Sequence, residues 1–285
     1  TATDIANTST TYTSGALTAT TYFRAVIVNG ACTSFSDAAM ITVNLTSVGG
    51  TVSGGTTVCA TSNSTTLTLS GSRGTIQWQS STDSTNFSNI SGATGATHTA
   101  VNLGTTTYFR ARVKSGVCDS LFSNVVTITV DPASNAGTLS GSTTVCTGTN
   151  STVLTLNGSV GTIQWESSLN NSTFTPIVDS VRAAFTAIDL GATTYYRAVV
   201  KNGVCASATS NTATVTVSPA TVAGTASGDT TVCASSNSSV ITLNGYVGSI
   251  QWLVSSDNSS FTAISGATNA SYTASGLTAT RYYRA

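Results

Sequence analysis

Residues 194–217 read TYYRAVVKNGVCASATSNTATVTV, and this stretch decides the fold. Apolar and polar residues alternate on either side of Asn202-Gly203, a dipeptide that favours a tight hairpin turn. The stretch therefore reads as a strand, a turn and a second strand. The same hairpin stands at Tyr22–Val43 (YFRAVIVNGACTSFSDAAMITV) and at Tyr108–Val130 (YFRARVKSGVCDSLFSNVVTITV), and Tyr282 opens a fourth copy as YYRA. Arg24, Arg110, Arg197 and Arg284 mark the copies at steps of 86, 87 and 87. Cys59, Cys146 and Cys233 keep a step of 87, as do Trp78, Trp165 and Trp252. The chain is a tandem array.

A unit of about 87 residues can bury a core of its own. Only 7% of the 285 residues are charged, and 100 are Ser or Thr; roughly a quarter charged is ordinary for a soluble domain. With a net charge of +0 there is no basic surface for nucleic acid and no polybasic patch for a membrane. No apolar run approaches the ~20 residues that span a bilayer, and the first residues given do not read as a signal peptide, which carries little weight in a chain that opens in mid-repeat. The chain opens and closes in mid-repeat, which predicts an excerpt of something longer. The expected division is 1–44, the C-terminal part of one repeat; 45–131 and 132–218, two complete repeats; and 219–285, the N-terminal part of a fourth. Short joints at Val130-Asp131-Pro132 and Val217-Ser218-Pro219 predict a semi-rigid rod of beads. The end portions, each lacking part of a sandwich, are expected to fray.

Seven strands are predicted in the second unit: Thr56–Cys59, Thr65–Leu69, Thr75–Ser80, Phe87–Ile90, Thr97–Leu103, Thr106–Lys114 and Val125–Val130. Short strands separated by turn signals make an all-β sandwich. Period-two alternation assigns the faces. Leu67, Leu69, Ile76, Trp78, Phe109, Ala111 and Val113 point inward, and Gln77, Gln79, Tyr108, Arg110, Arg112 and Lys114 point outward. Val126, Ile128 and Val130 alternate with Thr127 and Thr129, whose β-branch suits a wet strand face. The Arg of each copy is expected as a solvated strand residue leaning on the neighbouring Tyr. Trp78, Trp165 and Trp252 are expected in the core, with no helix longer than a turn or two.

Six cysteines at repeat-locked positions point to disulfides and an oxidising compartment. Zinc spacing is missing, and His98 is the one histidine. Two pairings compete. Within a unit, Cys59 would pair with Cys118 and Cys146 with Cys205, leaving Cys32 and Cys233 unpaired. Across the joints, Cys32–Cys59, Cys118–Cys146 and Cys205–Cys233 would use all six. Cys118 follows the hairpin turn, and the chain leaves the unit up to ~40 Å away along the next strand. A bridge needs Cα atoms within ~7 Å. The within-unit scheme is therefore the expected one.

No catalytic or metal centre emerges, and no cofactor is expected. Nine Asp and Glu166 are scattered without a repeated facing pair. Tyr12, Phe185 and Tyr272 occupy the positions equivalent to His98, so that slot is an aromatic packing site. The Gly-containing runs (Gly49-Gly50, Gly54-Gly55) open no helix, which removes a phosphate loop. Asp83, Asn170 and Asp257 share one loop position; calcium is conceivable there, but a turn-forming side chain is the expectation.

Each whole unit carries V-C before an L-T-L strand, then G-T-I-Q-W (Gly74–Trp78, Gly161–Trp165), a Ser-rich loop ending in Phe, T-Y-[FY]-R-A and G-V-C. These motifs resemble the immunoglobulin-like tandem repeats of giant Bacteroidota cell-surface adhesins, including the gliding-motility type, over the entire chain. The hairpin also resembles that of a fibronectin type III domain. The cysteines depart from the usual antibody pair. The resemblance implies type IX export, an extracellular location at the bacterial surface, and O-glycans at Asp-Ser/Thr, matched by Ser84, Ser120, Ser180 and Thr230.

Three functions stay open. The repeats could form the shaft of a secreted adhesin filament, with neighbouring repeats, surface polysaccharide or other cell-surface proteins as partners. They could be a passive spacer presenting an enzyme or binding head. They could be an array of carbohydrate-binding modules, for which Tyr22, Tyr108, Tyr195 and Tyr282 are the platform candidates. None of these is an enzyme, binds nucleic acid or inserts in a membrane.

Overall fold

Two-residue alternation governs the elements: among the described residues there is no helix, and the ordered segments are strands. A computed structural model describes residues 3–234 and 236–285, divided into two units. Of the described residues, one holds 3–134 and 201–207; the other holds 135–200, 208–234 and 236–285.

The first unit begins with β1 (Thr21–Phe23), β2 (Val26–Asn29), β3 (Cys32–Phe35) and β4 (Ala39–Ile41), paired as two ribbons, β1 with β4 and β2 with β3. The second repeat supplies β5 (Thr51–Ser53), β6 (Thr56–Cys59), β7 (Ser64–Ser70), β8 (Thr75–Ser81), β9 (Ser88–Asn89), β10 (Thr97–Val101), β11 (Thr107–Lys114), β12 (Leu121–Phe122) and β13 (Val126–Asp131). They form a sandwich. One sheet has the order β10-β7-β5; the other has β6-β13-β11-β8-β9, with β12 also on β11. Pairing is antiparallel except between β6 and β13, where Thr56 lies beside Ile128 and Cys59 beside Asp131.

The inward faces are those expected from alternation. Leu67, Trp78, Ala111, Val113 and Ile128 are fully buried, and Leu69 and Phe109 nearly so. The Trp78 indole reaches the Gly95 carbonyl at 2.9 Å, so its one polar atom is satisfied inside the core. Gln79 departs from expectation: it is buried, on the outward face, beneath Arg110 and beside Asn89. Two short strands, β5 and β12, join the expected seven. Gly54 and Gly55 carry the chain from β5 in one sheet to β6 in the other. Gly54 has φ +103°, and a Cβ there would lie 2.6 Å from the Thr66 carbonyl oxygen. Only glycine fits this crossing.

Asn124 ties β5 to the opposite sheet through both edges of its amide, accepting from Val52 N at 2.7 Å and donating to Val52 O at 3.0 Å. Asn63 does the same for the loop between β10 and β11. It donates to the Cys59 and Leu103 carbonyls at 2.9 and 2.8 Å and accepts from Leu103 N at 2.8 Å.

The second unit repeats this plan. Strands β14 (Thr138–Ser140), β15 (Thr143–Cys146), β16 (Ser151–Asn157), β17 (Thr162–Ser168), β18 (Thr175–Pro176), β19 (Ala184–Ile188), β20 (Thr194–Lys201), β21 (Ala208–Thr209) and β22 (Ala213–Ser218) form the sheets β14-β16-β19 and β15-β22-β20-β17-β18, with β21 on β20. Its core centres on Trp165, Leu154, Ala198, Val200 and Val215. The fourth repeat adds β23 (Thr225–Ser227), β24 (Ser238–Asn244), β25 (Leu253–Ser255), β26 (Thr262–Ala263), β27 (Ser271–Ser275) and β28 (Tyr282–Arg284), in sheets β23-β24-β27 and β26-β25-β28. Trp252 is fully buried among them.

Candidate functional site

The most elaborate constellation lies where the chain leaves the second repeat, at Asp131–Ser134. The hairpin turn that follows β20 docks there. Asn202 N donates to Ser134 Oγ at 2.9 Å, Asn202 Nδ2 to the Pro132 carbonyl at 2.8 Å, and Val204 N to Asp131 Oδ2 at 3.0 Å. Gly203 sits against the Asp131 carboxylate with φ +49°, where any Cβ would overlap it. The Cys205 sulfur lies 3.6 and 3.2 Å from the Asp131 and Pro132 carbonyl oxygens.

Cys205 is bonded to Cys59, with Cα atoms 5.0 Å apart and a sequence separation of 146. The expected pairs Cys59–Cys118 and Cys146–Cys205 do not form; Cys32, Cys118, Cys146 and Cys233 are free thiols. Sheet register supplies the reason. Cys59 ends β6 beside Asp131, at the end of the sandwich where the chain leaves. Thr107 of β11 pairs with Ile128, so the turn beyond Lys114 lies at the opposite end. About ten strand steps, roughly 30 Å, separate the two cysteines of one repeat. The distance that rules out Cys118–Cys146 rules out Cys59–Cys118 as well. The turn that does reach Cys59 belongs to the next repeat.

The joint at Asn44–Ser47 has the same construction. Ser115 N donates to Ser47 Oγ at 2.9 Å, Gly116 (φ +52°) packs on the Asn44 side chain, and the Cys118 thiol lies 3.6 and 3.5 Å from the Asn44 and Leu45 carbonyl oxygens. The two joints share a hairpin tip docked by a hydroxyl and a sulfur held over the joint backbone.

The recurring arginines form a second pattern. Arg110 stacks between Phe87 and Phe122, 4.1 and 4.0 Å from the ring centres, and donates to Gln79 Oε1 at 2.9 Å. Arg197 lies 4.0 Å over Phe174 and pairs with Glu166 at 2.7 Å. Arg24 and Arg284 stack on Phe35 and Phe261. The rings that take the guanidinium are phenylalanines from loops and neighbouring strands, so the expected lean on the adjacent Tyr is corrected. A guanidinium on a ring keeps its charge at little desolvation cost, which suits a face with few other charges. Tyr108 and Tyr195 are half-buried beside these stacks, whereas Tyr22 and Tyr282 are exposed.

The shared loop is a turn built on its acidic or amide side chain. Asp83 accepts from Thr85 N, Asn86 N, Asn86 Nδ2 and Ser81 Oγ. Donors led by Asn86 N hold its carboxyl well below the usual carboxylate range. Asp257 is held down to about 2, first by Ser260 N and then by Ser259 N and Ser255. Asn170 makes the corresponding bonds to Ser168, Ser172 and Thr173. His98 fills its aromatic slot, with ring centres 5.7 Å from both Trp78 and Phe109, and burial pushes its imidazole below its ordinary value. Among the described residues no group of three or more His, Cys, Asp or Glu comes together.

The O-glycan candidates scatter. Ser84 and Thr230 are exposed, Ser120 accepts from Arg112 Nε at 3.1 Å, and Ser180 is half-buried in a turn. The residues that sequence reasoning passed over are Asn63, Asn150 and Asn237, and Asn124 with Asn211. All keep the repeat period, so the signal was present.

Fold and site together define a tandem array of immunoglobulin-like, fibronectin-III-like β-sandwiches. The chain belongs to the family described as "Domain of unknown function (DUF8696)", which matches residues 1–45, 48–132, 135–219 and 222–285. No curated protein matches it. Among solved structures it is similar to the chicken CNTN1 FN1-FN3 domains at 12% identity, over 84% of this chain and 91% of that one, with a TM-score of 0.31. It is also similar to murine CEACAM1b at 14% identity, over 56% and 95%, with a TM-score of 0.39. The fibronectin(III)-like modules of Clostridium thermocellum CbhA match at 9% identity, over 59% and 94%, with a TM-score of 0.31.

Proposed function

We propose that the chain is a non-catalytic shaft segment of a large, secreted, surface-displayed adhesin filament that serves cell adhesion and gliding movement. The observation that carries this reading is the clasp at Asp131–Ser134, where the Cys59–Cys205 bridge and three hydrogen bonds fix one repeat's hairpin tip to the repeat before it. A linker that merely tethers two domains needs no such lock, because inter-domain freedom is the ordinary state. A disulfide also fits the oxidising exterior and not a reducing cytosol. The low charge and hydroxyl-rich strand faces fit exposure to water and to surface polysaccharide.

Antibodies against the chain should label intact, unpermeabilised cells, and deletion of the repeats should reduce attachment to polysaccharide-coated glass. Label that appears only after permeabilisation would end the surface reading. Surface label with undiminished attachment would assign the array to a passive spacer.

A further inference from the structure

We propose that Cys146 is a second clasp cysteine, and that its partner is the hairpin-tip cysteine of the repeat that follows it, 146 residues further along. The seat of Cys146 is the seat of Cys59. Cys146 ends β15 in parallel register with Ser218, as Cys59 ends β6 in register with Asp131. Thr147 N donates to Ser218 O at 2.9 Å where Ala60 N donates to Asp131 O at 2.9 Å. Asn150 Nδ2 holds the Cys146 carbonyl at 2.9 Å, as Asn63 holds that of Cys59 at 2.9 Å. Ser218-Pro219 then opens the joint as Asp131-Pro132 does, and the Cys146 thiol is exposed at its edge.

What the bond requires is a tip docked on that joint. Both joints with a tip show that docking brings the tip cysteine to the same place, bonded at Cys205 and poised over Asn44 and Leu45 at Cys118. Cys118 is thus the other half of the same device: a docked tip whose partner would be a strand-end cysteine. No cysteine among the 285 residues lies 146 before Cys118 or 146 after Cys146. The partner chemistry in both cases is a thiol on another copy of this repeat.

Bond formation takes two protons and two electrons from the two thiols. A small oxidised disulfide accepts them: the thiolate of one cysteine attacks it, one small thiol leaves, and the second cysteine displaces the other from the mixed disulfide.

The test extends the full chain. Ala285 is equivalent to Ala198, so appending a copy of residues 199–219 after Ala285 completes the fourth hairpin and places a tip cysteine seven residues on. The protein is refolded in oxidised and reduced glutathione, alkylated and mapped without reduction; the Cys59–Cys205 peptide in each digest reports correct folding. The expected result is a peptide joining Cys146 to the appended cysteine within one chain, with Cys146 as protected from alkylation as Cys59. In Cys146→Ser the appended cysteine should be recovered alkylated. Pairing of the appended cysteine with Cys233, its recovery as a free thiol beside an intact Cys59–Cys205 bridge, or its bonding to Cys146 of a second chain would each overturn the proposal.

Discussion

The side chains that hold each repeat together act through their polar atoms as much as through their bulk. Asn63 makes three hydrogen bonds to part-buried backbone, so Asn63→Ala removes all three at once and should cost about 2 kcal/mol. Urea unfolding followed by Trp fluorescence measures the loss. His98 sets a pH dependence of known sign. Burial lowers its folded pKa below 6.5, so the unfolded chain binds the proton more readily. The stability it contributes is present above 6.5 and is lost as pH falls through that value toward the folded one. Melting of the second repeat should therefore shift to lower temperature between pH 7.5 and pH 5.5, and His98→Phe should remove the shift, since Phe185 fills the same slot in the next repeat. Alternation made the inward residues legible in the sequence. The amide clamps were not, because a repeated Asn reads equally as a turn residue, and only the packed loop shows which carbonyls it meets.

At the scale of elements, the long strands were readable and the short ones were not. β11 and β20 carry eight residues of unbroken alternation, while β5 has three and β12 two, too few for a period to register. The cysteine pairing failed for a topological reason. Sequence placed Cys118 beyond a turn but could not tell which end of the sandwich held Cys59, because that depends on the parallel pairing of β6 with β13. Parallel neighbours need not be close in sequence, so no local pattern announces them. The bridge itself should matter. Closing a loop of this length contributes about 5 kcal/mol in the chain-entropy treatment. Cys205→Ser, or reduction with dithiothreitol, should accordingly lower the urea midpoint of the second and third repeats. A midpoint unmoved by reduction would mean the tip's hydrogen bonds alone hold the joint.

For the whole molecule, the tandem arrangement was the most secure inference, since an 87-residue step in Cys and Trp has no other simple origin. The way consecutive repeats are covalently connected was not available from the step alone. The Cys59–Cys205 bond also changes what the chain is when it is pulled. Between its ends, tension takes the shortest covalent route, entering the bond at Cys59 and emerging at Cys205. The backbone from residue 60 to residue 204 becomes a slack side branch, most of two sandwiches held out of the line of force. However hard the ends are drawn, that branch cannot pay out the roughly 500 Å it would yield if fully extended. The strain falls on one sulfur–sulfur bond and on the stretches outside the loop, β5 and β6 at one end and β21 and β22 at the other, so most of both sandwiches lies off the path that carries the load.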